Sequence, residues 1–369
     1  MIAERLFGTA SRLSGYQNPE PWFMHWLNGD ATSGGVPVNE RTALTLSAVW
    51  ASTRFLTSKL AGLPCILYRE RGEGDRERDT SNPIYGLLKD SPSPGYDAFM
   101  WWEMQWSFLI NWGNAFAEIN RMPDGTPARL WVIHPSRVNP EKRNDSSWVF
   151  HVRNDDGTIY DVEQNDMLNI VGPLSEDGVI GKGVIRQARE SIGLGKATEK
   201  FGAQFFGNNA MPGIALIHKQ KLSEDAKENI RKGWSKRFSG DGQRGVAVLA
   251  EDMTLQAFGI PPEDGQFLET RQFNVTDVAR WYGIPPHCIG DLSHATFSNI
   301  EEQNINVVVD SLMPWCIRAE KSLKRQLLPS GSDDLYWEFL ADALLRGNAK
   351  SRGEGRQIQF MNGAITLNE

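Results

Sequence analysis

Apolar positions follow two different rhythms along the 369 residues, and the change comes near the middle of the chain. Val49, Trp50, Leu56 and Leu60 recur at helical spacing and stop at Gly62 and Pro64, which predicts an amphipathic helix starting near residue 45. The run Cys65-Ile66-Leu67-Tyr68 predicts a strand that feeds a charged hairpin tip at 69–79. Residues 98–112 return to helical spacing and hold Trp101, Trp102, Trp106 and Trp112, a density that suits a core or a subunit contact. From 114 to 171 the alternation is that of strands. Phe116-Ala117-Glu118-Ile119 and Leu130-Trp131-Val132-Ile133 flank Asp124-Gly125, while Trp148-Val149-Phe150-His151-Val152 and Thr158-Ile159-Tyr160 flank Asp156-Gly157. Asp-Gly between alternating runs is a strong hairpin signal, so this half reads as α+β with antiparallel strands.

The second half is mostly helical. Val184, Ile185, Ala188, Ile192, Phe201, Phe205 and Phe206 predict a helix over 184–208, weakened by Gly193, Gly195 and Gly202. A strand at 213–217 precedes a helix capped by Ser223, whose stripe is Ala226, Ile230, Trp234 and Phe238. Strands at 246–249 and 254–258 close this insertion before Pro261-Pro262. A helix over 263–282 ends at Gly283 and Pro285, and a loop over 285–297 leads to the longest element. That element runs from a capping box, Ser298 with Glu301, to about residue 328, roughly 45 Å at 1.5 Å per residue. Pro314 in its middle is expected to kink it. A strand at 336–339 follows. At the other end, residues 1–43 are polar and read as a flexible arm, whose cluster Trp22-Phe23-Met24-His25-Trp26 is expected to dock on the body or on a neighbour.

Charge complicates this picture. With 39 Lys+Arg against 46 Asp+Glu the chain carries −7, which at face value argues against a protein that grips nucleic acid. Only the insertion is basic: Lys219, Lys221, Lys227, Arg231, Lys232, Lys236 and Arg237 outnumber Glu224, Asp225 and Glu228. That helix is either a solvated face or a docking surface for an acidic partner or a nucleic-acid edge. Three widely spaced cysteines, Cys65, Cys288 and Cys316, do not make a disulfide framework. There is no run of 18 apolar residues and no apolar leader, so neither a membrane partner nor a signal peptide is expected.

Candidate chemistry is sparse. No G-x-S-x-G, H-E-x-x-H or complete phosphate-loop motif occurs. Gly178-Val179-Ile180-Gly181-Lys182-Gly183 opens a helix, but lacks the Ser/Thr that would hold Mg²⁺ and reads as a turn. His287, Cys288 and His294 share a loop without a nearby fourth ligand, so no metal is expected. Glu301 and Glu302 splay apart on a helix and do not form an acid–base pair. No catalytic residue and no cofactor is expected.

A set of short runs in fixed order resembles the portal proteins of long-tailed double-stranded DNA bacteriophages. They are Gly113-Asn114-Ala115-Phe116, Gly181-Lys182-Gly183-Val184-Ile185, Phe205-Phe206-Gly207-Asn208 and Gln266-Phe267-Leu268-Glu269-Thr270-Arg271. Asp277-Val278-Ala279-Arg280-Trp281-Tyr282-Gly283-Ile284-Pro285-Pro286, Ile289-Gly290 and Ser298-Asn299-Ile300-Glu301-Glu302-Gln303 continue the series. Leu312-Met313-Pro314-Trp315 with Arg318 and Glu320, then Ala343-Leu344-Leu345-Arg346-Gly347-Asn348, complete it. The resemblance spans about 44–369.

It implies an α+β, portal-like subunit: an α/β wing over 44–183, stem helices over 184–208 and 263–284, and a strand–helix–strand clip over 209–262. A tunnel loop over 285–297, a long kinked spine helix with its strand over 298–345, and a partial helical crown from 346 to 369 would follow. Asn209 stands where relatives often have Gly, and the chain ends early for a full crown. Twelve subunits would form a ring at one capsid vertex, through which DNA is packaged and ejected, in the virion and, during assembly, the host cytoplasm. Its expected partners are further copies of itself, duplex DNA held non-specifically, the terminase large subunit, the major capsid protein and a head–tail adaptor. Pro286, His287, Gly290, Ser293, His294 and Thr296 would line the tunnel loop. Lys227, Arg231, Lys232, Lys236 and Arg237 would dock partners at the clip. Gln266, Arg271, Arg280, Glu301, Glu302 and Trp315 would meet the neighbouring subunit. The competing readings are a phage structural or tail adaptor without a channel, and a nucleotide-binding enzyme built on residues 178–183.

Overall fold

The computed structural model describes residues 32–72, 75–207, 213–217, 223–238, 254–258, 264–292, 306–329 and 331–341. Order begins earlier than the polar composition suggests. Residues 32–43 are not an arm: Val38 and Ala43 are buried, and α1 (Glu40–Ala43) is a single turn fixed by a reciprocal cap. Asn39 Oδ1 accepts the Thr42 N–H at 2.7 Å, and Thr42 Oγ1 accepts the Asn39 N–H at 2.9 Å. Residues 1–31, including the aromatic cluster, lie outside the described residues.

The main core, in the region expected as the wing, forms where α2 (Ser47–Ala61) crosses α4 (Ala98–Trp112), with the short α3 (Tyr85–Lys89) between them in sequence. The buried stripe of α2 is Val49, Ser52, Thr53, Leu56 and Leu60. Trp50, expected on that stripe, lies about 100° from Val49 around the helix and is 55% exposed. In α4 the alternative left open by the tryptophans is decided in favour of the core. Trp101, Trp102 and Trp106 are buried, and Trp102 packs edge-on against Phe339 at 4.9 Å between ring centroids. They are not subunit contacts.

Among the described residues, three small antiparallel sheets accompany this core. The first pairs β1 (Cys65–Glu70) with β2 (Arg76–Arg78) on one side and with β11 (Leu335–Phe339) on the other. Cys65 opposite Phe339 thereby ties the start of the chain to its late strand. The second is β4 (Pro127–Ile133), β3 (Asn114–Arg121) and β8 (Met167–Val171), in that order. The third is β5 (Val138–Lys142), β6 (Trp148–Arg153) and β7 (Ile159–Glu163). Phe116, Ile133, Phe150, Val152, Val162 and Met167 form a second apolar cluster that joins these two sheets. Both Asp-Gly hairpins form, with Gly125 at φ +84° and Gly157 at φ +85°.

Beyond the wing, the expected helix over 184–208 is divided. α5 (Val184–Gln187) stops at Ala188 and α6 (Arg189–Gly207) continues. Gly193 and Gly195 are less a weakness than a close approach: a Cβ at Gly193 would lie 2.5 Å from Thr32 Oγ1, and one at Gly195 would lie 3.1 Å from Leu46. α8 (Asp264–Tyr282) packs along α6. Between them lie β9 (Gly213–Ile217), α7 (Glu224–Phe238) and β10 (Thr254–Phe258), with β9 and β10 paired antiparallel. Ser223 Oγ accepts the Ala226 N–H at 3.2 Å, the expected cap. The strand expected at 246–249 lies outside the described residues.

The proline kink takes another form. Val307–Leu312 is a π-helical turn, closed by the Met313 N–H on Val308 O, and α9 (Met313–Leu327) starts just after it. Pro314 then sits in the first turn of α9, where a missing N–H leaves nothing unpaired. The wide turn absorbs the ring that an unbroken α-helix would push against a carbonyl. The start of the expected spine segment, 298–305, its end, 342–345, and the expected crown, 346–369, lie outside the described residues.

Candidate functional site

Two of the short sequence runs meet at a junction of glycines. Gly113 ends α4 at φ +93°, and its carbonyl accepts the Gly172 N–H at 2.8 Å. A Cβ on Gly181 would lie 2.2 Å from Gly113 O, and one on Gly183 would lie 2.4 Å from Asn111 O, so the backbones touch only because side chains are absent. Asn114 completes the joint. Its Nδ2 donates to Asn169 Oδ1 at 2.8 Å and to Val179 O at 2.7 Å, and its Oδ1 accepts the Gly181 N–H at 2.9 Å.

The N–H groups of residues 178–182 are already paired and leave no cradle for a phosphate there. Asp177 Oδ1 accepts the N–H groups of Val179 and Ile180, both at 2.8 Å, and Ser175 Oγ accepts that of Gly178 at 2.9 Å. The Lys182 N–H goes to Pro173 O at 3.0 Å, and its Nζ pairs with Glu176 at 2.6 Å. The Ile180 N–H leads the contacts that hold the Asp177 carboxyl below the usual carboxylate range. Residues 178–182 therefore hydrogen-bond to their own loop and to Asn114, and form a turn that anchors α5.

The helices flanking the insertion are rooted in the wing core. Ile192 of α6 and Val278, Ala279 and Tyr282 of α8 are buried, and Ser191 Oγ donates to Asp277 across the pair. Tyr282 OH donates to Asn111 Oδ1 at 2.8 Å, and Thr53 Oγ1 lies 3.3 Å from both atoms. Burial pushes the Tyr282 phenol above its ordinary value, so it stays a neutral donor. Sequence reasoning missed Thr53, Asn111 and Asn169. Their only signal was a polar residue on an apolar face, which spacing does not resolve.

The expected tunnel loop starts from a rigid base. Gly283, at φ +65°, closes α8, and the Ile284 N–H reaches Ala279 O at 3.0 Å. Ser311 Oγ donates to Gly283 O at 2.6 Å and ties the base to the π turn. Pro286 and His287 lie in a 3₁₀ turn (Pro286–Ile289), with Gly290 at φ +92° after it. Cys288, pushed up to about 11 by burial, faces His287 Nε2 at 3.5 Å. Among the described residues no three His, Cys, Asp or Glu side chains gather as a metal site. Ser293, His294 and Thr296 lie outside the described residues.

The other candidates divide. Arg280 is exposed and pairs with Asp277 of its own helix at 2.8 Å, and Arg271 is exposed nearby. Trp315 is half-buried against the wing core. Glu301 and Glu302 lie outside the described residues, as does the side chain of Gln266. On the insertion helix Lys227 pairs with Glu224 at 2.6 Å and Lys232 lies 3.6 Å from Glu228, so part of its basic excess is balanced within the helix. The side chains of Arg231, Lys236 and Arg237 are not described. Phe201, Phe273 and Trp281 stand exposed on the α6–α8 pair, a second apolar surface on helices that already bury one.

A family model described as "Phage portal protein" matches residues 47–369. The chain belongs to the phage portal protein family. It is 31% identical over 357 residues to a probable portal protein of Streptomyces phage phiC31, covering 92% of this chain and 77% of that protein. It is 28% identical over 354 residues to the portal protein of Enterobacteria phage HK97, covering 95% and 82%. Among solved structures, a portal protein of the HK97 family from Corynebacterium diphtheriae superposes with a TM-score of 0.65 at 18% identity, over 85% of this chain and 98% of that one. A chain from the neck of a native gene transfer agent particle, computed with C12 symmetry, superposes with a TM-score of 0.60 at 18% identity, over 94% and 96%. The portal family is structural, and neither an adaptor without a channel nor a nucleotide-binding enzyme is favoured. Among the described residues no helix is long and apolar enough to cross a membrane.

Proposed function

We propose that this portal chain forms a ring of twelve at one capsid vertex, with an axial tunnel through which duplex DNA is packaged and later ejected. The match to the portal family over residues 47–369 carries this reading. The fold supports it at the level of elements. Residues 44–183 would serve as the wing and the α6–α8 pair as the stem. The insertion between them would form the clip, and the segment leaving Gly283 would lead into the tunnel loop. The exposed faces of the stem helices, with Arg271 and Arg280 beside them, would meet the neighbouring subunit together with Gln266, Glu301, Glu302 and Trp315. The clip helix would dock the terminase large subunit during packaging and a head–tail adaptor afterwards, while the wing would meet the major capsid protein. Rings would assemble in the host cytoplasm before their inclusion in the virion.

Mass photometry tests the assembly. Twelve copies of 41.4 kDa would give a species on the order of 0.5 MDa, and end-on negative-stain averages should show a hole wide enough for a duplex. Monomer under all conditions, or a ring with no axial hole, would overturn the reading.

A further inference from the structure

A groove of about 730 Å³ opens beside α1, within the range of roughly 300–1,000 Å³ typical of pockets that enclose apolar groups. Leu44, Phe108, Trp112 and His134 make its walls. Phe108 and Trp112 both meet the His134 ring edge-on, at 4.8 and 5.0 Å between centroids. Burial lowers the His134 pKa and keeps that ring neutral near pH 7, so the wall is an aromatic surface rather than a cationic one. Around the rim, Arg41, Arg137 and Arg153 outnumber Glu40 and Asp155.

One segment of the chain has the matching chemistry. Trp22-Phe23-Met24-His25-Trp26 is an aromatic cluster in a polar stretch, and residues 16–31 contain Glu20 and Asp30 but no Lys or Arg. The segment also leads to the groove. Six residue steps separate Trp26 from Thr32, a reach of up to about 20 Å. The turn closed by the Gly35 N–H on Thr32 O brings Thr32 beside Val36, four steps from Glu40 on the groove rim. Those four steps span at most about 14 Å, less than the roughly 20 Å that Trp26 can extend from Thr32, so the segment is long enough to reach the groove rim.

We propose that the groove walled by Leu44, Phe108, Trp112 and His134 is the docking site of the aromatic segment Trp22-Phe23-Met24-His25-Trp26 of the same chain. Indole and phenyl rings would pack edge-on against the aromatic wall, and Glu20 and Asp30 would lie toward the arginine rim. The docked segment would cover apolar surface that is otherwise open beside the wing core.

Site-directed cross-linking of the full chain tests this on monomers and rings alike, so its outcome is separate from that of the ring assay. In a Cys288→Ser background, Met24→Cys and Ser107→Cys are combined and mildly oxidised. The expected product is a disulfide within one chain, identified by peptide mass. Its yield should drop about tenfold when Trp22, Phe23 and Trp26 are also changed to Ser, because docking and not tethering alone sets the local concentration. Equal yields with and without the aromatics would overturn the proposal. Linkage between chains would overturn it too, by assigning the groove to a neighbour's arm. As a second measurement, the three aromatic-to-Ser changes alone should speed hydrogen exchange severalfold at 107–112 and 134–137. Unchanged exchange there would also overturn it.

Discussion

At the scale of single residues, the wing depends on what is missing at Gly113, Gly172, Gly181 and Gly183. A methyl group on Gly181 would meet Gly113 O at 2.2 Å and Gly172 N at 2.5 Å, and backbone atoms held by their own hydrogen bonds cannot step aside. Gly181→Ala is therefore expected to cost about 1–3 kcal/mol, read as a lower urea midpoint with little change in slope. An unchanged midpoint would mean that the junction is looser than its geometry. His151 offers a different test. Its Nδ1 lies 2.7 Å from Asp161 and its Nε2 lies 2.9 Å from Glu141, and the Asp161 contact leads in raising its pKa. A raised folded pKa means the stabilisation is full below the unfolded value of about 6.5 and is lost as pH rises through the folded one. Between about pH 6 and pH 8 the wild-type midpoint should fall more than that of His151→Gln. Parallel curves would dismiss the cross-strand imidazolium.

At the scale of elements, the insertion helix α7 combines an apolar stripe with a basic excess that is partly balanced. The pairs Lys227–Glu224 and Lys232–Glu228 are solvent-exposed and at helical spacing, so each contributes no more than about 0.5 kcal/mol to the helix. Their loss alone should leave the fold intact, which makes the helix a clean place to test docking. Charge reversal at Lys232 and Lys236 is expected to leave rings at full yield and to impair DNA packaging in a reconstituted assay. Packaging at the wild-type rate would argue against terminase docking there. The α6–α8 pair is built in the opposite way. Tyr282, Asn111 and Thr53 fix its root by buried hydrogen bonds, while Phe201, Phe273 and Trp281 keep apolar surface outside. A helix pair apolar on both sides suits burial between copies.

At the scale of the whole molecule, the charge of −7 acquires a different meaning once the chain is a portal. The proposed ring of twelve acidic subunits would repel a polyanion on average. A conduit needs this, because a basic wall would release counterions, bind tightly and stall the duplex. Purified rings at roughly 0.15 M salt are accordingly expected not to retain linear duplex DNA in a filter-binding assay, with only weak adhesion at low salt. Tight, salt-resistant retention would contradict a sliding contact.

The sequence by itself determined the kinds of element and their order. Helical spacing, Asp-Gly turns and the Gly283–Pro285 stop are local signals, and most of the elements they predict among the described residues form where expected, the helix over 184–208 dividing at Ala188. The family was legible as well, because its short runs lie in fixed order along the chain. Position in space was not. That Trp101, Trp102 and Trp106 are core while Trp50 is exposed depends on which helix crosses which. Strands β5 and β8 escaped notice because Pro140 and Asn169 interrupt their patterns; β5 is made a strand by its hairpin with β6, and β8 by pairing with the distant β3. The glycine junction and the Thr53–Asn111–Tyr282 link join residues far apart in the chain, so no local pattern carries them. The order of residues 32–43 likewise comes from burial against α6, which overrides a polar composition.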